Sequence, residues 1–293
     1  MIGGRAAGFT TVALLAFAGN SWLCRCALRG GDIDPAAFTA LRLASGAVVL
    51  WPLARALEPA GTRGGSWRGG AALFAYALLF ALAYVSLDTG VGALLLFGAV
   101  QATMIGAGLA QGERLGARQW IGLAAALAGL AWLAAPGAGV RGAVTSGGAG
   151  PLAGALAMAA AGAAWGLYSL LGRGRPHPFA STAGNFLRAA PLAIAALAMA
   201  RLVAPSGHAT TKGIALALIS GALTSGLGYV LWHAALRNLA ASTAGIVQLA
   251  VPALAAAGGV AFLGERPTAR VAIAGALILG GVALAITARA TRS

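Results

Sequence analysis

GERLGAR at residues 112–118 and GERPTAR at residues 264–270 agree at five of seven positions, and each lies between two long apolar runs. The runs that follow carry matching markers. Ile121 answers Ile273 and Gly129 answers Gly281, both at an offset of 152 residues. Earlier in each half, Leu41-Arg42 answers Leu187-Arg188, and Gly19 answers Gly166. Markers that keep their order at a nearly constant offset point to an internal duplication. The fold follows from how many apolar runs each copy holds.

Cutting the 293 residues at their polar clusters gives ten apolar stretches: 8–28, 36–57, 69–87, 90–111, 119–135, 151–171, 180–204, 213–235, 241–262 and 271–288. A bilayer core takes about 20 apolar residues per helix, so each stretch is read as one span. The first run continues past Trp22 to Leu28, which makes it a span and not a short signal sequence. The first copy occupies 1–135, a Gly-rich connection 136–150, and the second copy 151–293. Five spans per copy is odd, so the second copy enters the membrane upside down. The expected fold is all-α and integral to the membrane, with ten transmembrane helices in two inverted five-helix repeats.

Composition agrees with this and excludes soluble classes. Residues are 59% hydrophobic and 9% charged, with 45 glycines, whereas soluble domains carry about 25% charged residues. The net charge of +14 is dealt singly or in pairs between apolar runs, which suits anionic lipid better than nucleic acid. Cys24 and Cys26 point to different helix faces, so neither a disulfide nor a metal site is expected. Eleven basic residues lie in the loops on the side of the termini and six on the other. That bias predicts both termini in the cytoplasm of a multi-pass inner-membrane protein.

Ten spans in two halves, a Gly-Glu-Arg turn before each half's last helix, and an Arg in each second helix resemble the drug/metabolite transporter superfamily. Within it the chain is similar to the ten-span EamA-type exporters, most of all to those that export aromatic amino acids. The resemblance implies a secondary transporter with a small-molecule substrate, lipid as its other partner, and no cofactor.

The residues themselves narrow the chemistry. Asp32, Asp34, Glu58, Asp88, Glu113 and Glu265 are the six acids, and none falls deep in an expected span. A proton-coupled drug antiporter would need one there. Paired carboxylates, HExxH, a Walker loop and His/Cys ligand clusters are also missing from the sequence, which argues against an enzyme, a metal or a bound cofactor. His233 is the one titratable imidazole inside a span, within a turn of its end. Movement down the substrate's own gradient is therefore expected, without an obligatory proton gradient.

Three arginines fall inside spans. Arg25, one turn from its helix end, is expected to snorkel outward. Arg42 and Arg188 lie about two turns in, at matched positions. They read either as pins that reach loop carbonyls and headgroups, or as a gate or counter-charge for a substrate carboxylate. Polar and aromatic side chains at mid-span are the candidate cavity lining. Tyr76, Phe80 and Tyr84 share one face of span 3, and Trp165, Tyr168 and Ser169 one face of span 6. Ser225, Tyr229, Trp232 and His233 run along span 8, although Trp232, like Trp67 and Trp120, also fits an interfacial belt. Gln101 sits at the centre of span 4 and Asn20 at the middle of span 1. In span 9, Pro252 cannot donate to the carbonyl of Gln248, so one position offers both an amide and a freed acceptor.

The expected substrate set is Asn20, Tyr76, Tyr84, Gln101, Trp165, Tyr168, Tyr229 and Gln248, with hinges or gates at Pro52, Pro191, Pro252, Arg42 and Arg188. The function expected is export of small metabolites, amino acids foremost, by alternating access. Export of anionic or phosphorylated metabolites or of drugs, and a non-transporting membrane scaffold, are the alternatives.

Overall fold

A computed structural model describes residues 4–62, 64–87, 89–134, 151–205, 207–263 and 269–287. The connection 136–150, Asp88, and Glu265 and Arg266 of the second turn motif lie outside the described residues. All ten apolar stretches are helical. They form α1 (Gly4–Arg29), α2 (Pro35–Leu57), α3 (Trp67–Ser86), α4 (Thr89–Ala110), α5 (Ala117–Ala134), α6 (Pro151–Gly172) and α7 (Pro178–Val203). The eighth stretch is a composite: α8 (Thr211–Ile219), a π-helical stretch Ser220–Leu227, and α9 (Gly228–Leu236). The ninth is broken at Leu249 into α10 (Ala241–Gln248) and α11 (Ala250–Leu263), and α12 (Ala269–Thr287) ends the described chain. Seven of these rods are long and apolar enough to cross a membrane, and Leu95–Ala110 and Ala272–Ala285 are shorter apolar helices. Among the described residues no sheet forms, and one isolated bridge joins Ile33 to Ala209.

Two of the sequence expectations meet the backbone differently. Spans 8 and 9 are not uninterrupted helices. In span 9 the break falls within one turn of Pro252, where an intrahelical bond is missing. By contrast, α2 runs through Pro52 and α7 through Pro191 without interruption.

Helix starts show how the connections are held. Asp34 caps α2 by accepting from the Ala37 amide at 2.9 Å, ahead of Pro35 in the first turn. Ser66 caps α3 through Gly69, and Thr210 caps α8 through Gly213. His177 and Ala240 supply no side-chain cap to α7 and α10. Two distant glutamates replace them. Glu58 accepts from the amides of Phe179 and Ala180 at 2.9 and 3.2 Å. Glu113 accepts from those of Ala241 and Ser242 at 2.9 and 3.0 Å, with Arg173 at 3.4 Å. The helix N-terminal field and free amides make a carboxylate the natural occupant of both places. Partial burial pulls the Glu113 carboxyl upward, but the Ser242 and Ala241 amides and Arg173 outweigh it and hold it below the usual carboxylate range.

Large apolar side chains such as Val48, Leu152, Leu202 and Leu223 are exposed, while the polar ones Asn20, Arg42, Gln101 and Gln248 are buried. A soluble protein inverts that distribution, so this is a multi-pass membrane protein whose lipid-facing shell is apolar. Inside, α2 packs on α7, α3 on α6, α5 on α12, α4 on α10 and α11, and α1 along the composite eighth rod. At the α5–α12 crossing a Cβ on Gly122 would collide with the carbonyl of Gly281, and one on Gly129 with that of Ala274. Small residues permit that backbone approach.

Candidate functional site

Arg42, two turns into α2, has 0% exposure. Its Nε donates to Ser225 Oγ at 2.8 Å, and one Nη donates to the hydroxyls of Tyr229 at 2.5 Å and Tyr76 at 3.3 Å. The other, Nη1, has no hydrogen-bond partner. The guanidinium lies over the rings of Tyr76 and Phe80, 5.2 and 5.4 Å from their centroids. Among the described residues no carboxylate pairs with it. A buried cation without an anion is costly, and here hydroxyls and ring faces supply what compensation there is.

The π-helical stretch makes this arrangement possible. Gly221 lets the backbone touch α2, where a Cβ would collide with the carbonyl of Arg42 and the hydroxyl of Ser45. In an α-helix Ser220 and Ser225 would point about 140° apart. The wider π turn brings them to one side, where Ser220 Oγ and Ser225 Oγ donate to Asn20 Oδ1 at 2.7 and 3.4 Å, while Thr224 Oγ1 beside them donates to the Ser220 carbonyl at 3.0 Å. Asn20 Nδ2 donates to Tyr76 OH at 3.3 Å, closing the ring of polar groups. Single π turns are frequent at functional sites.

A second polar string starts at Trp165, whose Nε1 donates to Gln248 Oε1 at 2.7 Å. Gln248 Nε2 in turn donates to Met104 Sδ and to the carbonyl of Ala244. Trp165 meets the rings of Tyr76 at 5.0 Å and Tyr229 at 4.6 Å in tilted contacts, and this joins the two strings. Phe17, Ser21, Tyr76, Phe80, Leu96, Phe97 and Trp165 surround a cavity of about 10 Å³, room for about one water. The centre is shut around its own side chains.

Ion pairs and carboxylate caps tie the connections at both ends. On one face Asp32 pairs with Lys212 at 2.7 Å and Asp34 with Arg201 at 2.6 Å. The hydrogen bond from Lys212 holds the Asp32 carboxyl below its ordinary range, and the same contact raises Lys212. On the other face Glu58 and Glu113 hold the starts of α7 and α10.

The expected site residues divide. Asn20, Tyr76, Tyr229 and Arg42 meet directly, and Trp165 and Gln248 join them through ring contacts. Tyr168 is buried beside Trp165 and Tyr229 at 5.5 and 6.1 Å. Gln101 Nε2 donates to the carbonyl of Gly245, and its buried Oε1 has no hydrogen-bond partner. Tyr84 lies two turns from Tyr76 along α3, about 12 Å away, with its hydroxyl on the carbonyl of Thr89. Arg25 does not reach outward but is buried and donates to the Tyr84 carbonyl at 2.9 Å, which offers it an acceptor closer than the headgroups. Trp232 is not in a belt: it is 0% exposed, and its Nε1 donates to Ser169 at 3.0 Å. His233 is buried against Thr182 at 3.2 Å. Arg188 takes the pinning role, donating to the carbonyls of Gly64 and Gly184 at 3.3 and 2.8 Å.

Ser220 and Thr224 were not expected at the site. Their spacing with Ser225 around Gly221, inside an otherwise apolar run, is the signal that marks them. Phe17 contacts Trp165, Tyr229 and Trp232, and nothing in its sequence context separates it from the exposed Phe9.

Residues 152–287 match the EamA-like transporter family. The chain is 52% identical over 289 residues to the uncharacterized protein PA1977 of Pseudomonas aeruginosa, covering 97% of this chain and 95% of that protein. A solved crystal structure of a protein shares the fold with a TM-score of 0.74 at 23% identity, over 96% of this chain and 97% of the other. Taken with its apolar helices and buried polar centre, the second half of the chain, residues 152–287, is that of an EamA-like transporter.

Proposed function

We propose that the protein is a secondary transporter that exports small metabolites, amino acids foremost, by alternating access through the centre built on Asn20, Tyr76, Trp165, Tyr229 and Gln248. The observation that carries this reading is where those side chains come from. Asn20 and Tyr76 belong to the first half of the chain and Trp165, Tyr229 and Gln248 to the second, and they meet beside a π-helical stretch and a broken helix. Discontinuous helices at mid-membrane are the usual builders of transporter sites. Amides and hydroxyls suit the polar end of such a substrate and the rings its apolar body. The break at Leu249 beside Pro252, and the lost backbone bonds at Pro52 and Pro191, are the places for bending.

Ten spans in two inverted halves are part of the proposal. Exchanging each helix of the first half with its counterpart in the second turns the α3–α6 contact into that of the eighth rod with α1. It also turns α4–α6 into the contact of the ninth rod with α1, and leaves α2–α7 and α5–α12 as they are. The family match at 152–287 falls within the second half, and the inner membrane with cytoplasmic termini is the setting that the loop charges favour.

The test is flux of labelled amino acids in proteoliposomes holding the full chain. Wild type should equilibrate substrate with the pH gradient collapsed, and Gln248→Ala should slow flux at normal expression. Accumulation that needs the gradient and is lost in His233→Ala would replace facilitated movement with proton coupling. Absence of flux for every amino acid would remove the reading.

A further inference from the structure

The geometry points to Arg42 as the anchor of a monoanion, with Tyr76 and Tyr229 as switchable donors, so that the substrate class is a small monocarboxylate with an apolar body. The inference rests on the transporter reading and specifies its site. Three observations carry it. Arg42 is wholly buried, one guanidinium nitrogen has no partner, and no described carboxylate pairs with it. The two rings under the guanidinium, Tyr76 and Phe80, also line the central cavity. The two phenol oxygens that accept from Arg42 belong to groups that can turn and donate.

The phenols hold the place of an acceptor beside Arg42. A carboxylate entering beside Phe80 would take the guanidinium, and Tyr76 and Tyr229 would redirect their protons to it. Charge-assisted bonds to a planar fork are stronger than the phenol contacts they replace. Phe17, Phe80 and Trp165 would flank the apolar body.

The charge count sets the anion's valence. Arg188 is engaged with the carbonyls of Gly64 and Gly184 at the edge of the bundle, and Arg25 with that of Tyr84. Among the described residues one guanidinium serves the centre, enough for a carboxylate and too little for a phosphate dianion in a dry site. An amino group is optional. Asn20 Oδ1, the acceptor most available to an ammonium, already receives the hydroxyls of Ser220 and Ser225.

The experiment measures the melting temperature of the full-length protein in detergent, at neutral pH and fixed ionic strength. The probes are 3-phenylpropionate, phenylalanine, phenylalaninamide and inorganic phosphate. Both carboxylates should stabilise saturably, with half-saturation roughly 10- to 100-fold below that of the amide and of phosphate. Arg42→Gln should bring the acid-to-amide ratio close to one, and Arg188→Gln should leave it unchanged. Equal half-saturation for acid and amide in the wild type would overturn the proposal, and that arm stands even if Arg42→Gln fails to fold. Flux without this discrimination would refute the anion site and keep transport. Discrimination without flux would refute transport and keep the anion site.

Discussion

Arg42 and Arg188 occupy matching positions in the two halves and end in opposite environments. Each lies on a helix that crosses a partner at a glycine. A Cβ on Gly221 would strike the backbone of Arg42, and one on Gly70 would meet the Cβ of Arg188. Past the crossing the two partner helices differ. Four and eight residues beyond Gly221 stand Ser225 and Tyr229, which receive Arg42. Four and eight residues beyond Gly70 stand Phe74 and Leu78, which offer no acceptor, and Arg188 turns to the carbonyls of Gly64 and Gly184. If the halves are the inverted repeats proposed above, the scaffold supplies two equivalent positions, and the acceptors across the crossing decide which arginine stays inside. Symmetry in the sequence is a statement about backbone, and function comes from where the symmetry fails.

The comparison breaks most completely if the halves are not inverted. Single cysteines placed at Glu113 and Glu265 should react with an impermeant reagent from opposite sides of the membrane, an all-or-none result. Reaction of both from one side would mean that Arg42 and Arg188 are not counterparts.

Next in size is the glycine pair. Gly221→Ala forces a methyl group into backbone and should cost about 1–3 kcal/mol, read as a lower melting temperature together with a loss of flux. Gly70→Ala meets first a side-chain atom, 2.7 Å away, and should cost less and spare flux. Equal effects on flux would deny the π-helical stretch its role in presenting Ser225 and Tyr229.

Glu113 gives the smallest effect and sharpens the account of the bundle's ends. Its carboxyl is held below the usual carboxylate range, so its contribution is complete at neutral pH and is lost as pH falls through that lowered value. Glu113→Gln should therefore lower stability by about 1 kcal/mol at neutral pH, and the gap to wild type should close on strong acidification. A gap that does not change with pH would assign the effect to packing.

Much of this was legible in the sequence. Apolar length placed the helices to within a few residues, because membrane helices have little other freedom. Tyr76, Trp165, Tyr229 and Gln248 could be read as interior because each is polar at mid-span. What could not be read was direction. Arg42 and Arg188 look alike in sequence, and only the tertiary acceptors separate them. Tyr84 lies on the same face of α3 as Tyr76 but two turns further along, and it meets the centre through the ring of Phe80. The π-helical stretch had no cue strong enough to be expected, and with it Ser220 and Thr224 were missed. Trp232 and Arg25 lie near helix ends, where position alone suggests an interface, yet Ser169 and the Tyr84 carbonyl hold them inside.

The most direct test is flux of labelled phenylalanine in proteoliposomes of wild type, Arg42→Gln and Arg188→Gln, each first shown to be folded by its melting curve. The account predicts that wild type moves substrate, that Arg42→Gln falls to less than about a tenth of that rate, and that Arg188→Gln keeps most of it. Equal loss in both arginine variants, or full activity in Arg42→Gln, would contradict it.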